Sequence, residues 1–321
     1  ALIENGAKAG SLVIMDVKTG EVLAMANQPS YNPNNRIQLD LSSVRNRAVT
    51  DVFEPGSTVK PFTVAVALES GLDMGYTIDT SPGFLKVDDA VIKDPRNRGV
   101  LDLGGILAYS SQVGISRLAL SLNEYDIWKQ FQTLGFGEVT GVGFPGESSG
   151  FLPNRRRWKD IERVTFAYGY GLTVTPLQLA SAYSTIASGG IKREVTLIAD
   201  QVSEGERVMN ARIALQLQSM LGRVITEGTG QKAAIESYDV GGKTGTARKI
   251  GENGYDDTRH IAFFAGFAPQ YSPRFVGVVL INEPKTEQVG GGSIAAPIFS
   301  RVMSNVLRLL SVPPTDTREA V

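Results

Sequence analysis

The 321-residue chain contains no cysteine and a single histidine, His260. The first absence removes thiol nucleophiles, zinc–thiolate sites and disulfides, and it suits an oxidising compartment such as a bacterial periplasm. The second makes a His-Glu-x-x-His metal site impossible. With no Gly-x-Ser-x-Gly elbow anywhere, a Ser-His-Asp hydrolase also has little support. His260 reads as a strand-edge residue, and no acidic cluster suggests a metal or calls for a cofactor. An excess of one charge is missing too: 32 basic residues face 33 acidic ones, so no strong field draws the chain to nucleic acid or to an anionic membrane surface. No apolar run approaches the roughly 20 residues that cross a bilayer. The opening Ala1-Leu2-Ile3-Glu4-Asn5-Gly6 lacks a basic region followed by an apolar one. The segment therefore reads as soluble and, starting without methionine, as an excised piece whose anchor would lie upstream.

What is present is a core-forming composition, 42% hydrophobic against 20% charged. The runs Leu12-Val13-Ile14-Met15 and Val22-Leu23-Ala24-Met25 flank the turn-like Lys18-Thr19-Gly20 and predict a buried hairpin. The stretch 31–46 is polar and loop-like. From Ser57 to Glu69 the residues are apolar nearly all round, as in a buried helix whose first turn tolerates Pro61. Further helices are expected at 111–122, 124–134 and 175–188, the last with Thr175 as N-cap, Pro176 behind it and Gly189 as stop. Another is expected from Asn210 to about Ile225, and a final one from Ala296 to Leu310. Strands are expected at 240–247, 260–268 and 274–282. A sheet shared by the first hairpin and the late strands argues for a single α+β domain over 1–312 with helices on both faces, followed by a flexible tail at 313–321.

Three short motifs carry possible chemistry. Ser57-Thr58-Val59-Lys60 places a hydroxyl and an amine three residues apart, about 5–6 Å at Cβ on a helix. Lysine can take the serine proton only if its pKa falls well below about 10.4, which burial or a nearby cation brings about. A helix start at Ser57 adds N–H groups near a developing oxyanion. The bland alternative is a capping serine with a surface lysine, and the segment alone divides evenly between the two. Against the bland reading, Glu54-Pro55-Gly56 delivers Ser57 directly onto a strongly apolar helix. Ser110-Ser111-Gln112 precedes the next helix and by itself reads as capping. Lys243-Thr244-Gly245-Thr246 sits in an expected strand, where Gly245 would let a substrate backbone come close and Lys243 could meet a carboxylate; a turn with a solvated lysine is the plain alternative. A phosphate loop ending at Gly242-Lys243-Thr244 fails because its first glycine is replaced by Ser237.

Taken in order, Ser-x-x-Lys, a Ser-x-Asn-like element and Lys-Thr-Gly-Thr resemble the signature of penicillin-binding proteins and serine β-lactamases. Residues 23–34 (Leu-Ala-Met-Ala-Asn-Gln-Pro-Ser-Tyr-Asn-Pro-Asn), 53–61, Tyr168-Gly169-Tyr170-Gly171 and Ala295-Ala296-Pro297-Ile298-Phe299 narrow this to class B penicillin-binding proteins of the septal, penicillin-binding protein 3 type. The likeness runs from about Gly10 to Leu310. It implies a five-stranded antiparallel sheet between helical layers with a mainly helical subdomain, and a D,D-transpeptidase that cross-links peptidoglycan stem peptides through a Ser57 acyl-enzyme. It further implies Lys60 as base, Ser110 as proton relay, and Gln112, Lys243, Thr244, Gly245 and Thr246 around the substrate. The backbone N–H groups of Ser57 and Thr246 would form the oxyanion hole. β-Lactams would bind covalently at Ser57, and division proteins would be met through upstream regions, at the periplasmic face of the inner membrane. The family usually has asparagine where Gln112 stands, which puts that contact in question.

Two other readings stay open. A β-lactamase on the same fold needs a water-activating base; no Glu-x-x-Leu-Asn loop occurs, and Glu162 is the residue left to test. A β-lactam sensor or division scaffold would share the acylation without turnover.

Overall fold

Strands β1 (Ala9–Asp16) and β2 (Val22–Gln28) form the expected hairpin. The computed structural model describes residues 1–35, 40–155, 157–251 and 254–315. Only β1 is buried. Strand β2 has a neighbour on one side only, and Leu23 is exposed, which corrects the expectation of a wholly buried hairpin. Of the stretch 31–46, residues 36–39 lie outside the described residues, and the remainder includes a short helical turn at Leu41–Val44, with a second just beyond it at Arg47–Thr50.

The segment expected to be one helix from Ser57 starts differently. Gly56–Val59 is a 3₁₀ turn, and α-helix α1 runs over Lys60–Glu69. Every residue of α1 from Lys60 to Leu68 is buried, so packing on all sides, not one amphipathic stripe, sets its rotation. The Phe62 ring meets Phe131, Phe136 and Tyr183 at centroid distances of 6.4, 5.9 and 5.6 Å. Truncating such an anchor to alanine costs about 3–5 kcal/mol, and here it would also free the helix that aims Lys60.

Helices α2 (Leu103–Ala108), α3 (Gln112–Ser121), α4 (Glu124–Thr133) and α5 (Asp160–Ala167) follow. Then come α6 (Pro176–Ala187), α7 (Ala211–Thr226) and α8 (Ala295–Leu309). Helix α6 starts with the expected Thr175 cap, whose hydroxyl accepts from Gln178 N while the Gln178 side chain accepts from Thr175 N. Sequence periodicity does not anticipate α2, α5, or the short strands Thr77–Asp79, Phe84–Val87, Ala90–Lys93 and Val100–Asp102.

Strands β3 (Gly241–Gly251), β4 (Gly254–Ala268) and β5 (Phe275–Asn282) complete an antiparallel sheet in the order β2-β1-β5-β4-β3. Its central strands are apolar at most buried positions, and alternation sends successive side chains to opposite faces. Ala262 and Phe264 pack with Phe299 and Met303 of α8, whereas Phe263, Ala265 and Phe267 join the cluster that contains α1, α6 and α7. The two chemistry-bearing segments meet at the outer strand β3, which lies beside the Gly56–Val59 turn. At the C-terminus Thr315 N donates to Ser237 O at 2.9 Å. Residues 316–321 of the expected tail lie outside the described residues.

Candidate active site

Ser57 sits in the 3₁₀ turn, and that turn is held from behind. Gly56 N donates to Gly169 O at 3.0 Å, and a Cβ at Gly169 would lie 2.2 Å from Gly56 O, so the Tyr-Gly-Tyr-Gly segment packs backbone to backbone against the turn. Thr58 Oγ1 donates to Pro55 O, and Tyr183 Oη to Thr58 O, both at 2.7 Å. Glu54 closes the other side by accepting from Gly171 N at 2.9 Å and from Tyr255 Oη at 2.9 and 3.1 Å.

Lys60 is fully buried one turn on. Its Nζ donates to Ser110 O at 2.6 Å, to Ser110 Oγ at 3.2 Å and to Ser111 O at 3.3 Å. Burial pushes this ammonium from 10.5 down to about 7, against the opposing pull of the Asp94 carboxylate. A lysine so placed is half neutral near physiological pH, the condition for accepting a proton from serine.

Local chain geometry explains why Ser110 is there to meet it. Helix α2 ends in a Schellman arrangement, with Ser111 N donating to Ile106 O at 3.0 Å and Ser110 N to Leu107 O at 3.2 Å. The position after the cap must then be left-handed, and Ser110 has φ +57° where glycine is the usual occupant. Ser111 caps α3: its hydroxyl accepts from Gly114 N at 2.8 Å and donates to Asp94 Oδ2 at 2.5 Å. Asp94 also accepts from Gln112 N at 2.5 Å and Val113 N at 3.2 Å. Sequence reasoning missed Asp94. It lies 16 residues before Ser110, and only the pairing of Phe84–Val87 with Ala90–Lys93 carries it to the start of α3.

On β3, Thr244, Gly245 and Thr246 reach the cleft, whereas Lys243 lies fully buried behind them and donates to Thr244 O at 3.2 Å. Burial, with the charge of Lys60 second, pushes the Lys243 ammonium well below its ordinary value. A Cβ at Gly245 would fall 1.9 Å from Phe263 Cε2. The Phe263 ring of β4 therefore excludes any side chain at this position, a constraint separate from the substrate approach expected of it. Thr229, also missed, shares a 2.7 Å hydrogen bond with the Thr244 hydroxyl; its signal is the Gly228-Thr229-Gly230 turn after α7. Gly291 N donates to Thr246 Oγ1 at 3.0 Å and ties the Gly290-Gly291-Gly292 loop to the same strand.

Ser57, Ser110, Gln112, Thr244, Gly245 and Thr246 thus line one open cleft of about 720 Å³. Lys60 and Lys243 stand directly behind it. His260 lies outside it, on β4 opposite Arg248. So does Glu162, which pairs with Arg155 and accepts from Lys159 N at 3.1 Å at the start of α5. A second cavity of about 400 Å³, between Leu134–Thr140 and Lys192–Glu206, contains none of these residues.

The family model described as "Penicillin binding protein transpeptidase domain" matches residues 10–304. The chain is 45% identical over 317 residues to "Peptidoglycan D,D-transpeptidase FtsI" of Escherichia coli (strain K12), covering 98% of the chain and 54% of that protein. It is 39% identical over 323 residues to "Probable peptidoglycan D,D-transpeptidase PbpC" of Pseudomonas aeruginosa, covering 100% of the chain and 57% of that protein. It therefore spans about half the length of these relatives. The TP domain of Burkholderia pseudomallei penicillin-binding protein 3, solved in its apo form, superposes with a TM-score of 0.89 at 38% identity, covering 98% of the chain and 92% of that domain.

Proposed function

Because the chain belongs to the penicillin-binding-protein transpeptidase family, we propose that it is a serine D,D-transpeptidase cross-linking peptidoglycan stem peptides, with Ser57 as nucleophile. One observation carries the assignment: Lys60, buried and brought to about 7, is hydrogen-bonded to Ser110 while Ser57 opens onto the cleft one turn away. Neutral Lys60 takes the Ser57 proton as Oγ attacks the carbonyl of the penultimate D-alanine. The oxyanion forms beside the backbone N–H groups of Ser57 and Thr246, on the 3₁₀ turn and the outer strand. As the C–N bond breaks, the proton passes from Lys60 through the Ser110 hydroxyl to the leaving D-alanine amine. The amine of a second stem peptide then attacks the ester and returns a proton by the same route, releasing Ser57.

The terminal carboxylate of the donor is met by the Thr244 and Thr246 hydroxyls, with Lys243 supplying charge from behind Thr244. A carboxylate there favours the protonated form of Lys243, against the burial that disfavours it. A β-lactam enters the same steps, its ring opening on Ser57 without a leaving group that departs. Gln112 projects beside this path. No helix among the described residues is long and apolar enough to cross a membrane. Anchoring at the periplasmic face of the inner membrane through upstream sequence, and a septal role with division proteins, belong to the same proposal and rest on the likeness to FtsI-named relatives. Turnover of a D-alanyl thioester analogue tests it: thiol release well beyond one equivalent per protein supports the enzyme, and a burst of one equivalent that stops at the acyl-enzyme would leave a sensor.

A further inference from the structure

The lining of the cleft also carries cations that the proposed chemistry does not use. Lys93, at the end of strand Ala90–Lys93, and Lys232, in the 3₁₀ turn Gln231–Ala233, both line it and are both exposed. They come from different elements, one beside the second motif and one beside Thr229. Neither enters an ion pair or side-chain hydrogen bond among the described residues. The one acidic side chain in the lining, Asp94, is occupied by Ser111 Oγ, Gln112 N and Val113 N. Nearby, Arg98 stacks over the Tyr109 ring at 4.1 Å, and Tyr109 also lines the cleft. Solitary surface lysines are ordinarily just solvated, but two unpaired cations on a concave lining outnumber its single carboxylate, which is turned onto the start of α3, and leave a positive potential for whatever enters.

We infer that Lys93 and Lys232 make the cleft lining a carboxylate-recognition site, through which the enzyme selects stem peptides with free side-chain carboxylates over amidated ones. The inference rests on the transpeptidase reading. The carboxylate can belong to the donor peptide or to the acceptor, and the charge chemistry is the same for both.

The test uses pairs that differ only in carboxylate against carboxamide. For the donor, thiol release is compared between D-alanyl thioesters capped with succinate and with succinamide. For the acceptor, aminolysis is compared between D-glutamate and D-glutamine. The expected result is a kcat/KM ratio favouring the carboxylate by roughly tenfold in one of the two arms, the size of a charged hydrogen bond. That ratio shrinks with salt, falls to about one in Lys93→Ala/Lys232→Ala, and inverts in Lys93→Glu/Lys232→Glu. Preference in the donor arm assigns the carboxylate to the donor, and preference in the acceptor arm to the acceptor. A wild-type ratio of one in both arms, or a preference that survives in a double-alanine variant with unaltered melting, overturns the inference. Absence of thiol release from both thioesters would instead overturn the transpeptidase reading, and the inference with it.

Discussion

The Lys60 side-chain nitrogen donates to the Ser110 backbone oxygen at 2.6 Å, joining two motifs 50 residues apart. Through that bond the buried amine answers to the turn between α2 and α3 as well as to its own helix, so its proposed action on Ser57 depends on both.

Acylation by benzylpenicillin should speed up as pH rises through about 7, because burial brings the Lys60 ammonium there from 10.5 and only its neutral form accepts the Ser57 proton. Stopped-flow acylation from pH 5 to 9 checks this. A flat profile would show that Lys60 is not the base. The same depression means that between about 7 and 10.5 the unfolded chain binds a proton the folded protein does not, so this residue's contribution to stability rises with pH across that window.

Ser110→Gly should melt higher and acylate more slowly. Glycine relieves the left-handed strain at φ +57°, worth about 1 kcal/mol, but removes the hydroxyl proposed as relay. Ser110→Ala keeps the strain and loses the hydroxyl, so it should be slow without gaining stability. A Ser110→Gly variant no more stable than Ser110→Ala would contradict the Schellman account.

Asp94→Asn replaces a carboxylate serving three donors with an amide that carries donors of its own. A loss of about 1–3 kcal/mol in thermal denaturation is expected, and roughly tenfold or more in acylation from the displaced second motif. Removing the charge that holds the Lys60 pKa up should also move the acylation midpoint below that of the unaltered protein. An unmoved midpoint would leave Asp94 a merely structural cap.

Gln112→Asn should acylate as fast as the parent or faster. The Lys60 bonds run to Ser110 and Ser111, and the asparagine amide, one methylene shorter, can join them. A clear loss would mean that the cleft has adapted to glutamine.

The parts of this site that are legible in the sequence are those governed by local periodicity. Ser57 and Lys60 fall one turn apart whether the turn is 3₁₀ or α, and Lys243-Thr244-Gly245-Thr246 lies in a strand that its neighbours demand. The rest depends on tertiary placement. Asp94 reaches α3 only by way of strands four residues long, too short for alternation to reveal. Nothing in the letters Ser110-Ser111 discloses a left-handed residue, since glycine is the residue that marks one. Gly245 does mark a close approach, and the letters do not disclose that Phe263 of the protein itself makes one. Lys243 is fully buried behind Thr244, which rules out the plain alternative of a solvated lysine and is set by tertiary packing that the letters do not disclose.

The central claim, that Ser57 is the nucleophile set up by buried Lys60, is tested most directly by intact-mass and peptide mapping of the benzylpenicillin adduct in the parent and in Ser57→Ala. One adduct on the peptide containing Ser57, persisting for many minutes and absent from a folded Ser57→Ala protein, is the predicted result. An adduct on any other residue, or labelling that survives in Ser57→Ala, would contradict it.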